Sequence, residues 1–384
     1  MKQSVFVLLL SVSLLLGGCT WMDGSYVSVT LHREQRQTNQ TEVISASNYL
    51  ELLEALKGVI SEGTEVAAIN VANYPEEAVD HGMQRAVQYA MINDPIGAYA
   101  VENILYELGT SSGKPAVSVS VTYHHPRSEI QRIRKAESME QAEQEISQAL
   151  EGYESALVMH IEGFEKMDFT QFVHDYSDIH PNTVMEVPQV TENVYGTGRD
   201  RVVELLFTYQ TSRDALRRMQ SQVQPVFASA SLYVSGDGED HQKFSQLYAF
   251  LMERFDYKVE TSITPAYSLL RHGVGDSRAF ATIYAAMCRS AGLECMTVTG
   301  TRSGEPWTWN MVLDGEQYFH VDLLRSSEQG RFREYTDDAM ENYVWDYSEY
   351  PACNGERIAE ESQPETMEPE PTVNSEKKNL KIRA

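Results

Sequence analysis

The stretch HGVGDSRAFATIYAAMCRSAGLECMTVTG, from His272 to Gly300, decides the fold of the second half of this 384-residue chain. Its first residues predict a glycine-containing turn, and the apolar run that follows Ser277 predicts a buried helix. Gly292 is typical of a helix end, and the residues from Cys295 onward predict a strand. A tight turn directly before a buried helix often presents a nucleophile, and Ser277 stands at the presenting position.

Further landmarks lie in order on both sides of this stretch. A helix that begins at Lys243 ends at Phe255-Asp256-Tyr257, and Trp309-NMVLDGEQYFHVDLL predicts two strands joined by an Asp-Gly hairpin. The segment Tyr343-VWDYSEYPAC closes the series. In this order the landmarks resemble the transglutaminase-like domain, a branch of the papain-like cysteine enzymes. The resemblance covers roughly a third of the chain and implies an α+β, papain-like domain over residues 213–353.

The chemistry of that family needs a thiolate at the helix start, a histidine on the next strand and an acid on the following strand. The matching positions of this sequence hold Ser277, Trp307 and Asp322, so only the acid is kept. A serine hydroxyl is far less acidic than a thiol, and an indole N–H donates but accepts no proton. The resemblance therefore implies a degenerate site that keeps the shape of the enzyme without its acyl-transfer chemistry.

An active serine-type site is the alternative. Ser277, His320 and Asp322 are the residue types of a hydrolase triad, and His272 in the preceding turn is a second candidate base. Because His320 and Asp322 are two residues apart on one predicted strand, their side chains are expected on the same face. This alternative predicts a serine-type amidase or peptidase.

Trp307 and Trp309 are candidate ligand-cleft residues, because two aromatic rings could stack on a sugar or hold a peptide. The competing interpretation places Trp309 in the core and lets Trp307 fill the volume of the absent imidazole. The first interpretation predicts a module that binds a cell-envelope peptide or glycopeptide, and the second predicts a scaffold that contacts another envelope protein.

The N-terminus has the pattern of a bacterial signal sequence. Lys2 precedes an apolar run that begins at Val5, is too short to span a bilayer, and ends in Leu16-Gly-Gly-Cys19. Leu, two small residues and Cys resemble a lipobox, which implies that residues 1–19 form a lipoprotein signal peptide, cut before Cys19, with a diacylglycerol on the Cys19 sulfur. The chain would then be lipid-anchored on the extracytoplasmic face of the membrane, in the bacterial cell envelope. An ordinary secretory signal is the alternative.

Residues 25–212 predict two βαβ-type repeats of about ninety residues, which is an α/β arrangement. Runs with period-two alternation predict strands that begin at Tyr26, Val66, Val117, Ala156 and Val202. Helices are predicted from Asn48 and from Met139, with further helix up to about Leu108 and over 167–176. Residues 178–198 predict an ordered loop. Right-handed crossovers would place the strands in one sheet.

The charge balance excludes one class of partner. The chain carries 31 basic and 56 acidic residues, a formal net charge of -25, which repels nucleic acid. Residues 356–384 are rich in Glu, Pro, Ser and Lys and predict a disordered tail.

Cysteine spacing predicts neither a metal site nor a cofactor. Beyond Cys19 the chain has Cys288, Cys295 and Cys353, and none of them forms a CxxC motif or a Cys/His cluster with zinc spacing. An oxidising envelope would permit a disulfide between Cys353 and either of the other two, although spacing alone does not select one.

Overall fold

The computed structural model describes residues 44–234, 236–259 and 262–355. The predicted signal peptide with Cys19, the predicted strand at Tyr26 and the tail at 356–384 lie outside the described residues. Among the described residues, no helix combines the length and the apolar character needed to cross a membrane.

The first part of the chain is a three-stranded sheet covered by helices. Its elements are α1 (Tyr49–Ser61), β1 (Val66–Asn70), α2 (Glu76–Ile92), α3 (Pro95–Ala100), β2 (Val101–Ser111) and β3 (Lys114–Tyr123). The strand order is β1-β3-β2, and both pairings are antiparallel. The apolar faces of α1 and α2 pack on this sheet and form a separate core.

The second part is a four-stranded sheet with helices around its own core. Its elements are α4 (Arg127–Ile130), β4 (Arg134–Ala136), α5 (Met139–Glu151), β5 (Ala156–Ile161), α6 (Phe169–Ile179), β6 (Gln189–Tyr195) and β7 (Arg201–Thr208). The strand order is β4-β5-β7-β6, with β4 parallel to β5 and the other pairs antiparallel.

The predicted arrangement of βαβ units in a single sheet is wrong. The strands lie in two sheets. Strand β1 pairs antiparallel with β3, and β2 and β3 form a hairpin. Its two-residue turn, Ser112-Gly113, has positive φ angles of 53° and 77°, the backbone that a tight hairpin requires. Helix was predicted up to about Leu108, whereas the chain is already β2 from Val101. The predicted loop over 178–198 contains β6, an edge strand whose exposed polar residues mask its pattern.

The third part is helical and then becomes a four-stranded sheet. The helices and short strands that come first are α7 (Arg213–Tyr233), α8 (Asp240–Met252), β8 (Asp256–Tyr257), α9 (Pro265–Tyr267), a π-helical turn (Ser268–His272), β9 (Val274–Gly275) and α10 (Ser277–Ser290). The remaining elements are β10 (Cys295–Arg302), β11 (Glu305–Asp314), β12 (Gln317–Val321), α11 (Leu323–Glu328), a 3₁₀ turn (Asp337–Ala339) and β13 (Tyr343–Val344). The sheet order is β12-β11-β10-β13, and all its pairs are antiparallel.

Helix α10 is the centre of this third part. Eleven of its fourteen residues are buried, so the helix is enclosed on nearly all sides. Small residues such as Ala281 and Ala285 let neighbouring backbones approach, while Phe280 and Tyr284 fill the space between α10 and the elements around it. This packing fixes the position of Ser277, the first residue of the helix.

Candidate active site

The turn before α10 is shaped by its glycines and its cap. Gly273 has a φ of 81°, and a Cβ on Gly275 would lie 2.9 Å from the Cβ of Ala279, so both positions require glycine. Asp276 is the N-cap, and its carboxylate accepts a hydrogen bond of 2.9 Å from the Ala279 N–H. Ser277 follows at the helix start and is only 9 % exposed.

Strand β11 brings the next position of the site beside the serine. The Ser277 Oγ accepts a hydrogen bond of 3.3 Å from the backbone N–H of Thr308, the residue after Trp307. Gly300 on β10 lies opposite Trp307, and a Cβ there would lie 2.1 Å from the Val344 carbonyl oxygen. The structure therefore brings together the helix start and the strand on which the sequence comparison places the histidine.

Asp322 is the hub of the site. Its Oδ2 accepts hydrogen bonds from the Trp307 Nε1–H at 2.9 Å and the Tyr343 hydroxyl at 2.5 Å. Its Oδ1 caps α11 and accepts from the N–H groups of Leu324 and Arg325 at 3.0 and 3.1 Å. Asp322 is only 2 % exposed, so these four donors take the place of water around a buried carboxylate.

Tyr343 is a site residue that the sequence did not point to. It lies on β13, 21 residues after Asp322, and no local pattern indicates the contact. Burial, together with the Asp322 carboxylate, raises the pKa of Tyr343 far above its usual range. The phenol therefore stays protonated and acts as a donor to Asp322.

His320 is not a partner of Ser277, so the predicted Ser277–His320–Asp322 triad is wrong. The His320 Nδ1 accepts a hydrogen bond of 3.0 Å from the Trp309 indole, which can only donate. The proton of the neutral imidazole therefore lies on Nε2, which donates to Asp337 at 2.9 Å. The ring is completely buried, and burial lowers the pKa of His320 although Asp337 opposes this. Both ring nitrogens are engaged in the core, away from the serine.

His272 does not serve as a base for Ser277 either. Its side chain is exposed, and its ring packs edge-on against Tyr267 with the centroids 5.3 Å apart. Across residues 44–234, 236–259 and 262–355, no hydrogen bond joins an imidazole to Ser277.

The two tryptophans have different surroundings. Trp309 is 1 % exposed and packs among Tyr343, Trp345 and His320, so it lies in the core, as the competing interpretation predicts, and not in a ligand cleft. Its side chain fills the core on the sheet face opposite α10.

Trp307 is half-buried and its ring has close neighbours. The Arg302 guanidinium lies 5.1 Å from the ring centroid, and the Tyr257 ring lies 5.7 Å away. Arg302 is itself held by Glu328 at 2.7 Å and lies 3.9 Å from Asp322. The indole is therefore one member of a packed polar and aromatic cluster rather than an open stacking platform.

The three cysteines among the described residues form no disulfide. Cys288, Cys295 and Cys353 are all free and buried. Cys353 belongs to the core that contains Trp309, whereas the other two lie in the core around α10, so neither of the disulfides to Cys353 that the sequence left open is formed. Burial raises the pKa of Cys288 well above its usual value, and burial near Asp337 raises the pKa of Cys353 to about 12. Both thiols are therefore protonated at neutral pH.

His320, Asp337 and Cys353 are close enough together to suggest a metal site, but the proton positions argue against one. The His320 Nε2 carries its proton because Trp309 donates to Nδ1, and a metal ligand must be deprotonated. The cluster is instead a hydrogen-bonded support for β12, in which Asp337 also accepts from the Cys353 N–H at 3.0 Å.

Comparison with known proteins gives a family match for part of the chain. Residues 228–323 match the model of the transglutaminase-like superfamily, and no curated protein matches the chain. Solved structures that resemble it include a TGase, at 10 % identity and a TM-score of 0.25, over 58 % of this chain and 66 % of the other.

Two further solved structures come from bacteria. A protein assigned as a cysteine protease from Cytophaga hutchinsonii shows 15 % identity and a TM-score of 0.25, over 38 % of this chain and 65 % of that one. A protein assigned as a protease from Parabacteroides distasonis shows 10 % identity and a TM-score of 0.21, over 66 % of this chain and 39 % of that one. The chain thus spans less than two thirds of each of these proteins. The family match, together with the helix-and-sheet arrangement around Ser277, identifies a transglutaminase-like domain in a mixed α/β protein.

Proposed function

We propose that the transglutaminase-like domain is catalytically inactive and serves as a scaffold in a membrane-anchored envelope lipoprotein. The observation that carries this proposal is the 2.9 Å hydrogen bond from the Trp307 indole to Asp322. In the related enzymes the acid orients a histidine, and here the same acid holds a group with no acceptor for a proton. Within the described part of the chain, Ser277 is left without a base.

The expected loss of chemistry is large. A serine hydroxyl needs a positioned base more than a thiol does, since it is almost entirely protonated at neutral pH. Loss of one member of a catalytic triad commonly lowers the turnover rate by about 10⁴-fold, and the members act as a unit. With a hydroxyl at position 277 and an indole at position 307, two members are changed together.

A scaffold fits this site better than a cleft that binds a peptide or glycopeptide. Arg302 and Tyr257 lie against the Trp307 ring, and Ser277 is 9 % exposed. A sugar ring would have to displace one of these neighbours to stack on the indole. The partner that the scaffold contacts would be another envelope protein.

Treatment with a fluorophosphonate probe tests the inactive state. We expect no adduct on Ser277 by intact-mass and peptide mass spectrometry, the same result as for Ser277→Ala, with an active serine hydrolase as the positive control. A probe adduct that appears on the wild-type chain and disappears in Ser277→Ala would support the serine-type amidase or peptidase instead.

The membrane anchor of the proposal rests on the Leu16-Gly-Gly-Cys19 motif. When the full-length chain is expressed in a bacterium fed with a radiolabelled or alkyne-tagged palmitate, we expect label on the protein and its recovery in the membrane fraction. Cys19→Ser should abolish both, because the thioether cannot form. An unlabelled wild-type chain in the soluble fraction would contradict the anchor and leave the proposed scaffold domain untouched.

The two N-terminal parts support a further element of the proposal, a duplicated module. Helices α1 and α5 each have 13 residues, and each is capped by a side chain, Asn48 or Ser138, that accepts from the N–H three residues on. The following strand pairs antiparallel with the last strand of the hairpin in both parts. Even the parallel bridge of Ser45 to Asn70 has a counterpart between β4 and β5.

A further inference from the structure

Three potential metal ligands that are far apart in the sequence converge at one end of the third part of the chain. His241 is in the first turn of α8, Asp314 ends β11, and Glu334 precedes Tyr335, which bridges to β12. The His241 Nδ1 lies 3.2 Å from the Asp314 Oδ2 and 3.1 Å from the Glu334 Oε2. Local spacing could not indicate this set, since each residue comes from a different element.

The spacing of the donor atoms fits a first-row divalent cation. One ligand atom from each residue lies within 4.8 Å of the other two. Nitrogen and oxygen ligands bind zinc at about 2.0–2.2 Å, which places neighbouring ligand atoms roughly 3–3.5 Å from one another. The two nitrogen-to-oxygen distances of 3.1 and 3.2 Å fall in this range.

The ring of His241 is oriented and the site is open to solvent. Phe332 packs against the imidazole with the ring centroids 5.5 Å apart and the planes at 63°. The side chains of His241, Asp314 and Glu334 are 51 %, 22 % and 8 % exposed. A cation can therefore enter from the His241 side, and water can complete its coordination.

The electrostatics favour a positive charge at this point. Two carboxylates approach one imidazole nitrogen in a chain whose formal net charge is -25. The cation would replace the Nδ1 proton, which passes to solvent, and one charged species would neutralise both carboxylates.

We propose that His241, Asp314 and Glu334 form a site for a divalent cation. Zn²⁺ is the metal ion that best suits one imidazole and two carboxylates. The site lies apart from the Ser277 cleft and does not depend on the proposed inactivity of the domain. Its role is to tie the start of α8 to the β11–β12 hairpin and the segment before Tyr335. Unlike His320, His241 has its Nδ1 directed at carboxylates, which can share a cation with it.

Isothermal titration of Zn²⁺ into the chelator-treated full chain tests the site. We expect one zinc per chain at this site and a loss of affinity of more than about 100-fold in His241→Ala, a larger effect than removal of an outer-shell partner. His125→Ala is the matched control, because His125 pairs with one carboxylate, Glu129, at 2.9 Å. That variant should bind zinc like the wild type.

Asp314→Asn is a second variant that perturbs the fold less than His241→Ala. Circular dichroism checks that each variant is folded. Asp314→Asn should weaken zinc binding in the same direction as His241→Ala. X-ray absorption of the zinc-loaded chain should show one imidazole nitrogen with oxygen donors and no sulfur. Absence of binding to the wild type, a zinc affinity that is equal in wild type and His241→Ala, or sulfur in the first coordination shell would each overturn the proposal.

Discussion

The double substitution Ser277→Cys with Trp307→His should create a reactive thiol at the start of α10. The thiol would stand at the helix N-terminus, and the imidazole would occupy the place of an indole that already bonds to Asp322. An ordinary thiol with a pKa near 8.5 is almost fully protonated at pH 6, whereas a thiol paired with an imidazolium is largely ionised there. We expect alkylation of residue 277 by iodoacetamide at pH 6 to accelerate roughly 10²-fold over an unpaired thiol.

The single variant Ser277→Cys is the matched control for this increase in the alkylation rate. It has the helix N-terminus but no imidazole, so its thiol should alkylate slowly at pH 6. Peptide mapping assigns the adduct to its residue, and the described thiols Cys288, Cys295 and Cys353 contribute little because they are 0–5 % exposed. Equal rates for a folded double variant and the single variant would mean that Trp307 does not stand at the histidine position, and the proposed degenerate triad would fail.

The site could be located from sequence because its landmarks are local. The glycines before Ser277 and the helix after it are set by close approaches of backbone and by burial, which leave a readable pattern. The Asp-Gly hairpin likewise places Asp322 soon after Trp307. These features predicted a transglutaminase-like domain, and the family match over 228–323 supports that prediction.

The hydrogen-bond partners of the site residues could not be predicted from the sequence in the same way. Asp322 meets Tyr343, and His320 meets Asp337, only after β13 and the 3₁₀ turn fold back on the sheet. The expected same-face pair of His320 and Asp322 failed because Asp322 leaves the strand and caps α11. A side chain that caps a helix is directed by the turn, so strand alternation no longer decides where it points.

The prediction of the N-terminal sheet topology was wrong for a related reason. Period-two alternation identifies a strand but carries no information on the direction of its neighbour. Helical spacing and strand spacing are also hard to separate over 101–108, where most of the strand residues are exposed. The turn at Ser112-Gly113 was the one local signal for the hairpin, and it implies antiparallel pairing.

Asp322→Ala should destabilise the domain even though the proposed function gives Asp322 no catalytic task. The substitution removes the acceptor for the Trp307 indole, the Tyr343 hydroxyl and two backbone N–H groups that begin α11. Each buried donor left without a partner costs about 1–3 kcal/mol, and loss of a helix cap costs about 1 kcal/mol. Because these losses overlap, we expect the free energy of unfolding to fall by at least about 3 kcal/mol.

Urea unfolding followed by circular dichroism measures this loss, with Asp346→Ala as the matched control. Asp346 also accepts from a backbone N–H and a hydroxyl, both from Ser348, but it is fully exposed. Water can satisfy the groups released there, so the midpoint of that variant should stay close to that of the wild type. Asp322→Asn should fall between the two, since its amide oxygen can still cap α11 while its NH₂ group opposes the Trp307 and Tyr343 donors. If Asp322→Ala unfolds at the urea concentration of Asp346→Ala, the buried carboxylate is not a structural hub, and a chemical role for Asp322 regains support.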